Sequence, residues 1–116
     1  MDCHYEVAYE LLKSYPNLFF TYDTGNITTA GYDHEKYISR LFPFIINVHL
    51  KDRKGEQTVL PGEGETPFGV IFKNLKRRKY KGLYTIQTAR GVTGREFTTI
   101  KQHIDFFKET YHEAII

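Results

Sequence analysis

A single cysteine, Cys3, is the only thiol in this sequence of 116 residues. This excludes an internal disulfide framework and a zinc site built from several cysteines, and it fits a reducing, cytoplasmic compartment. No apolar run approaches the roughly 20 residues that a membrane span requires. The N-terminal segment, with acidic residues at positions 2, 6 and 10, lacks the basic-then-apolar order of a signal peptide. We therefore expect neither export nor a membrane partner.

Net charge is also small. Sixteen Lys and Arg residues against fourteen Asp and Glu residues leave a formal charge of +2. A charge of this size does not indicate a nucleic-acid-binding surface. Apolar residues make up 41% of the chain and charged residues 26%, which allows a modest hydrophobic core. The composition predicts one soluble globular domain.

Helical and strand-like patterns alternate along the chain. Apolar residues at helical spacing predict a first helix over about 3–15, which Pro16 ends, and three strand patterns follow, each continued by a helical pattern. The predicted strands cover 18–23, 44–50 and 82–87; the later helices cover about 34–41, 67–79 and 95–114. The polar, glycine-containing segments 24–31 and 51–67 are predicted loops. The last helix is predicted to pack through an apolar face formed by Phe97, Ile100, Ile104, Phe107 and Tyr111.

One helix followed by three strand-helix units predicts an α/β fold with parallel strands and right-handed crossovers. A parallel sheet needs cover on both faces and protected edges. Three strands supply neither, since they are fewer than half of an eight-stranded barrel, which typically needs about 250 residues. The pattern therefore predicts an incomplete structure.

The polar ends of the three predicted strands are the candidate functional feature. In parallel α/β proteins, active groups collect at the carboxyl ends of the strands. Asp23, His49 and Gln87 end the three strands, and each shares a strand face with a polar residue two positions earlier. Those earlier residues are Thr21, Asn47 and Thr85. Polar residues at such positions indicate a site at the mouth of a barrel, because a packed interior favours Val, Ile and Leu.

Each of these residues also has a simpler interpretation. Asp23 can serve only as a turn residue, since aspartate often bonds its own backbone just after a strand. His49 can be a buried histidine whose hydrogen bonds are satisfied. Taken together, however, an aspartate and a histidine at equivalent strand ends can supply oxygen and nitrogen ligands to one divalent ion. The pair therefore predicts a metal site.

Four motifs, in order along the chain, resemble those of a known family. They are Asp23–Asn26 (DTGN), Val48–Asp52 (VHLKD), Leu60–Glu65 (LPGEGE) and Tyr80–Leu83 (YKGL). Between about 17 and 90, their order and spacing resemble the xylose-isomerase-like TIM-barrel superfamily. That superfamily includes sugar and sugar-phosphate isomerases and epimerases, and endonucleases of the endonuclease IV type. The resemblance implies a partial (β/α) TIM barrel, with residues 1–116 as its C-terminal portion.

The resemblance also implies a divalent metal, Mn²⁺, Mg²⁺, Co²⁺ or Zn²⁺, bound by Asp23 and His49. Two positions depart from the family pattern. A histidine common three residues after the aspartate is Asn26 here, and a metal-binding glutamate at the end of the last strand is Gln87. An amide offers a carbonyl oxygen to a metal, but it carries no charge and transfers no proton as a carboxylate does. We therefore expect this chain alone to lack that proton-transfer group.

In the family reaction, a metal ion holds the oxygens of a ketose or hydroxy-aldehyde while two carboxylates move a proton at the adjacent carbon. One of these carboxylates belongs to an earlier barrel strand, which we do not expect in this sequence. The other corresponds to Gln87. The resemblance implies Gln87 and Asp52 as the catalytic positions, and Asn26, Arg53 and Glu63 as substrate-binding residues.

The main functional hypothesis is a metal-dependent isomerase or epimerase of a small sugar or sugar phosphate, incomplete or inactive alone. The alternative is a non-catalytic barrel fragment, or a subunit completed as a homo-oligomer or by a partner chain that supplies the remaining strands. A nuclease of the endonuclease type is less favoured. Its three-metal cluster needs several more histidines, and none lies between His49 and Gln87.

Overall fold

The computed structural model describes residues 3–89 and 93–115. The helices are α1 (Tyr5–Ser14), α2 (Thr24–Ala30), α3 (His34–Leu41), α4 (Phe68–Arg77) and α5 (Glu96–Glu113). The strands are β1 (Phe20–Asp23), β2 (Ile45–Leu50), β3 (Asp52–Lys54), β4 (Gln57–Val59) and β5 (Leu83–Ile86), and a 3-10 turn, Phe42–Phe44, precedes β2. Within the two described ranges, no helix combines the length and apolar character that crossing a bilayer requires.

Strands β1, β2 and β5 form a parallel sheet in the order β1-β2-β5. Its register places Asp23 beside His49, and His49 beside Thr85. Just past β5, the backbone N–H of Gln87 donates to the Leu50 carbonyl at 3.1 Å and so continues the ladder. The predicted parallel α/β architecture is confirmed, and the three polar strand ends lie at one edge of the sheet.

The segment 24–31, predicted as a loop, is helix α2, and that prediction is wrong. Asp23 caps the helix, because its Oδ1 accepts a hydrogen bond from the Asn26 backbone N–H at 2.9 Å. Gly31 ends it in the left-handed conformation, at φ +81°. Three threonines and a glycine give the segment low helix propensity, which is why its composition indicates a loop.

The predicted loop 51–67 contains an antiparallel hairpin of β3 and β4. Its turn passes through Gly55 at φ +60°, a conformation that glycine adopts without steric cost. The two strands have three residues each and no alternation of apolar and polar side chains, so no sequence pattern marks them. The hairpin directly follows β2 and lies next to α2.

The helices cover one face of the sheet and leave the opposite face open. Tyr22 of β1 and Val48 of β2, which are neighbours in the register, are completely buried. On the opposite face Leu83 is 70% exposed, and Thr21 and Thr85 are also exposed. Both faces of a parallel sheet are normally covered. The open face carries the polar strand ends and corresponds to the inside of a barrel.

Helix α5 packs through only part of its predicted face. Its buried residues are His103 and Phe107, and Phe107 meets Phe68 of α4 edge-on, with ring centroids 5.0 Å apart. Phe97 and Ile100, both in the predicted face, are 84% and 54% exposed. The prediction is wrong for Phe97 and Ile100, whereas Phe107 and Tyr111 of the predicted face do pack against α4, Tyr111 with its ring centroid 5.4 Å from that of Phe72.

Candidate functional site

The two carboxylate oxygens of Asp23 have different partners, because the residue both ends β1 and caps α2. Oδ1 is held by the Asn26 backbone N–H of the first turn of α2. Oδ2 lies 3.2 Å from the Lys51 ammonium and 4.0 Å from His49 Nδ1. The Asp23 side chain is 15% exposed. The helix cap therefore leaves one carboxylate oxygen available to a cation.

His49 and Gln87 face each other across neighbouring strands. His49 Nδ1 lies 3.2 Å from Gln87 Oε1, so the imidazole can donate a hydrogen bond to the amide oxygen when Nδ1 carries the proton. In the other tautomer Nδ1 is a lone pair and a potential metal ligand. Two residues earlier on the same strands, Thr85 Oγ1 donates to Asn47 Oδ1 at 3.1 Å. The polar side chains of β2 and of the β5 strand end, which were predicted to share this face, therefore contact each other in two pairs, His49 with Gln87 and Asn47 with Thr85.

Asp23, His49 and Gln87 bring one carboxylate oxygen, one imidazole nitrogen and one amide oxygen together. Two bonds of about 2.1 Å to a shared ion reach at most about 4.2 Å between donor atoms, so the separations of 3.2 Å and 4.0 Å are both short enough. Among residues 3–89 and 93–115, no three His, Cys, Asp or Glu side chains form a metal-binding group. With these two distances His49 can share a divalent ion with Asp23 or with Gln87, and the remaining coordination positions would have to be filled by water or by groups from outside the chain.

Two cationic side chains converge on Asn26. Its Oδ1 accepts hydrogen bonds from Lys51 Nζ at 3.2 Å and from Arg53 Nη1 at 3.0 Å. Gly25 permits this close packing, because a Cβ there would lie 2.8 Å from Arg53 Cγ and 3.0 Å from the Lys51 carbonyl oxygen. The predicted substrate-binding residues Asn26 and Arg53 therefore lie together, and Lys51 links them to Asp23.

Asp52 is the first residue of β3, and its carboxylate contacts the loop that follows the hairpin rather than the donors at the strand ends. Asp52 is 1% exposed. Oδ2 accepts from the backbone N–H groups of Gly62 and Gly64, both at 2.9 Å, and Oδ1 accepts from that of Thr66 at 3.1 Å. These contacts give Asp52 a structural role. Its catalytic role, implied only by the resemblance, stays a prediction.

Glu63 lies between the two glycines that Asp52 holds. Its side chain is exposed, and its backbone N–H donates to the Leu60 carbonyl at 3.0 Å. Neighbouring Gly64 has no room for a side chain, since a Cβ there would lie 2.3 Å from Asp52 Oδ1. The substrate-binding role of Glu63 also stays a prediction.

Two buried polar residues, Thr24 and His34, organise this region and were not predicted from the sequence. The Thr24 hydroxyl accepts from the Lys51 backbone N–H at 2.9 Å and lies 2.7 Å from the Lys51 carbonyl, tying α2 to the end of β2. His34 is buried, with its ring nitrogens bonded to the hydroxyls of Tyr22 and Thr28. Burial lowers the pKa of His34 from 6.5 to about 4, against a smaller opposing effect of Asp33. The threonine directly after Asp23 was a usable signal, whereas no periodicity marks His34 as buried.

A parallel sheet with helices on one face, and metal-capable side chains at the carboxyl ends of its strands, defines part of a (β/α) barrel. A family model, the xylose isomerase-like TIM barrel, matches residues 3–110. The chain therefore belongs to the xylose isomerase-like TIM barrel family.

Solved structures agree with this fold. A xylose isomerase domain protein from Planctomyces limnophilus superposes with a TM-score of 0.76 at 16% identity, over 97% of this chain and 45% of that one. An L-ribulose 3-epimerase gives 0.75 at 17% identity, over 94% of this chain and 41% of that one. A protein named IOLI, with a bound zinc atom, gives 0.66 at 19% identity, over 94% of this chain and 42% of that one.

The chain thus spans less than half the length of these solved chains, which confirms the predicted partial barrel. At identities below 25%, the similarity establishes the fold alone. No curated protein was found to match the chain in sequence.

Proposed function

We propose that the protein is part of a divalent-metal-dependent isomerase or epimerase acting on a small sugar or sugar phosphate. The observation that carries this proposal is the convergence of Asp23 Oδ2, His49 Nδ1 and Gln87 Oε1 at the strand ends. Two of the similar structures support it, since one is an L-ribulose 3-epimerase and another holds a zinc atom. The single cysteine further supports a reducing, cytoplasmic location.

Each residue of the site has a distinct part in this proposal. Asp23, His49 and Gln87 hold the ion, which when bound polarises the carbonyl and hydroxyl oxygens of the substrate. Asn26 and Arg53 lie beside these ligands and orient the substrate's oxygens. Gln87 has no proton to exchange at neutral pH, so the proton-transfer groups must come from outside this chain.

The open side of the sheet supports completion by further strands. The face that carries the site is exposed, and in the described ranges β5 has a hydrogen-bonded neighbour, β2, on one edge only. An apolar groove of about 350 Å³ lies beside that free edge, lined by Tyr84 and Ile86 of β5 and by Ile104 and Tyr111 of α5. We propose that a second copy or a partner chain supplies the remaining barrel strands and fills this groove.

Deuterium incorporation tests the proposed reaction. The protein, isolated with whatever chains it binds in its own cells, is incubated in D₂O with Mn²⁺ and a panel of ketoses and ketose phosphates. We expect NMR to show deuterium at the carbon next to the carbonyl of one substrate, and the exchange to stop when His49→Ala replaces the wild-type chain. An assembly that exchanges no substrate in the panel would favour the alternative, a non-catalytic subunit, which the loss of the glutamate at position 87 already supports.

A further inference from the structure

We propose that Lys51 is a built-in cation that competes with the divalent ion for Asp23, and so sets the ion affinity of the site. This inference rests on the proposed metal function and deepens it. One carboxylate oxygen of Asp23 then has two alternative partners. The Lys51 ammonium pairs with it when no ion is bound, and the ion binds it when the ammonium moves away.

The contacts of Lys51 place its charge at the oxygen that a metal would use. Its ammonium lies 3.2 Å from Asp23 Oδ2 and 3.2 Å from Asn26 Oδ1, and its side chain is 12% exposed. The other carboxylate oxygen, Oδ1, is committed to the cap of α2. A metal ion on Oδ1 would compete with the cap, whereas Oδ2 is held by no backbone donor and is the atom for which both cations compete.

Two threonine hydroxyls and the first turn of α2 hold Lys51 in place. The Thr24 hydroxyl is within hydrogen-bond distance of both its N–H and its carbonyl oxygen, and the Thr66 hydroxyl donates weakly to the same carbonyl at 3.4 Å. Its stem lies against the first turn of α2, where a Cβ on Gly25 would come within 3.1 Å of Lys51 Cγ. These contacts favour the position in which the ammonium pairs with Asp23, so the ammonium competes with any ion that approaches this carboxylate.

Electrostatics gives the direction of the effect. An ammonium and a divalent ion that share one oxygen repel each other strongly in a partly buried site. Ion binding therefore requires the ion pair between Lys51 and Asp23 to break. Removing the ammonium removes both this cost and the repulsion, and we expect it to tighten ion binding by about tenfold or more.

Titration with Mn²⁺ alone tests the inference on the full chain. Free Mn²⁺ is followed by electron paramagnetic resonance for the wild type, for Lys51→Met, which keeps the stem, and for Lys51→Gln, which keeps a polar group near Asn26. Lys54→Met is the matched control, since it removes an equal charge from the exposed end of β3. Circular dichroism confirms that each variant is folded.

We expect both Lys51 variants to bind Mn²⁺ at least tenfold more tightly than the wild type and Lys54→Met to bind like the wild type. Equal or weaker binding by the folded Lys51 variants would overturn the inference, as would an equal gain in Lys54→Met. Absence of Mn²⁺ binding in every variant would overturn the ion site and the inference together. The expected affinities in an assembly that exchanges no sugar proton would uphold the inference while contradicting the proposed reaction.

Discussion

Replacing Asp52 separates a structural role from a catalytic one. Asp52 is 1% exposed, and its carboxylate accepts three backbone hydrogen bonds, from Gly62, Gly64 and Thr66. A hydrogen bond to a charged group contributes about 1.5–3 kcal/mol, and a buried donor left without a partner costs about 1–3 kcal/mol. Asp52→Ala removes all three acceptors at once. Allowing for partial relaxation of the loop, we expect the free energy of unfolding to fall by about 4 kcal/mol.

A milder variant guards against complete unfolding. Asp52→Asn keeps one acceptor oxygen and turns an N–H group toward the remaining donor, so we expect it to lose about 2 kcal/mol. Urea denaturation followed by circular dichroism measures both losses. Hydrogen exchange at Gly62, Gly64 and Thr66 should accelerate before the rest of the chain responds.

Glu63→Ala is the control, because this neighbouring carboxylate is exposed and should change stability by less than about 0.5 kcal/mol. Unfolding of Asp52→Ala at the wild-type urea concentration would refute the structural role of this carboxylate. Unchanged exchange rates of the three loop amides in that variant would refute it as well.

Two further predictions concern pH and assembly. Below pH 6.5 the unfolded chain binds a proton at His34 that the folded chain takes up only near pH 4, so stability should fall as the pH drops through this window, by about 2 kcal/mol at pH 5. Urea denaturation at pH 8 and pH 5 measures this loss, and His34→Asn should lose less between the two; an equal loss would show that another group is responsible. Light scattering of the protein isolated from its own cells should give a mass well above 13.6 kDa, and a sharply melting species of 13.6 kDa would contradict completion by further strands.

The sheet and the outline of the site were predictable because they follow from strong local patterns. The apolar run of β2 and the aromatic residues of β1 marked two strands, and parallel topology then required their ends to meet. Asp23 and His49 are neighbours in the register for that reason. Period-two alternation likewise placed Asn47 and Thr85 on one face, where they form a hydrogen bond.

What the sequence did not reveal depends on contacts between distant residues or on weak local preferences. The threonine-rich segment 24–31 is helical because Asp23 and Gly31 cap it, which outweighs its low propensity. The carboxylate of Asp52 accepts hydrogen bonds from backbone N–H groups ten to fourteen residues later in the chain. No pattern of side chains in the sequence predicts such contacts. The apolar stripe of α5 includes exposed residues, since amphipathic spacing predicts a packing face but not which neighbour covers it.

The most direct test of the account is to locate a bound ion on the chain by paramagnetic broadening. Substoichiometric Mn²⁺ is added to isotopically labelled protein, and amide NMR signals are compared with those of the Mg²⁺-loaded sample. We expect broadening centred on Asp23, His49 and Gln87, and its loss in His49→Ala. Broadening centred on exposed carboxylates such as Glu63 and Glu65, or an unchanged pattern in His49→Ala, would contradict the claim that the three strand ends hold one ion.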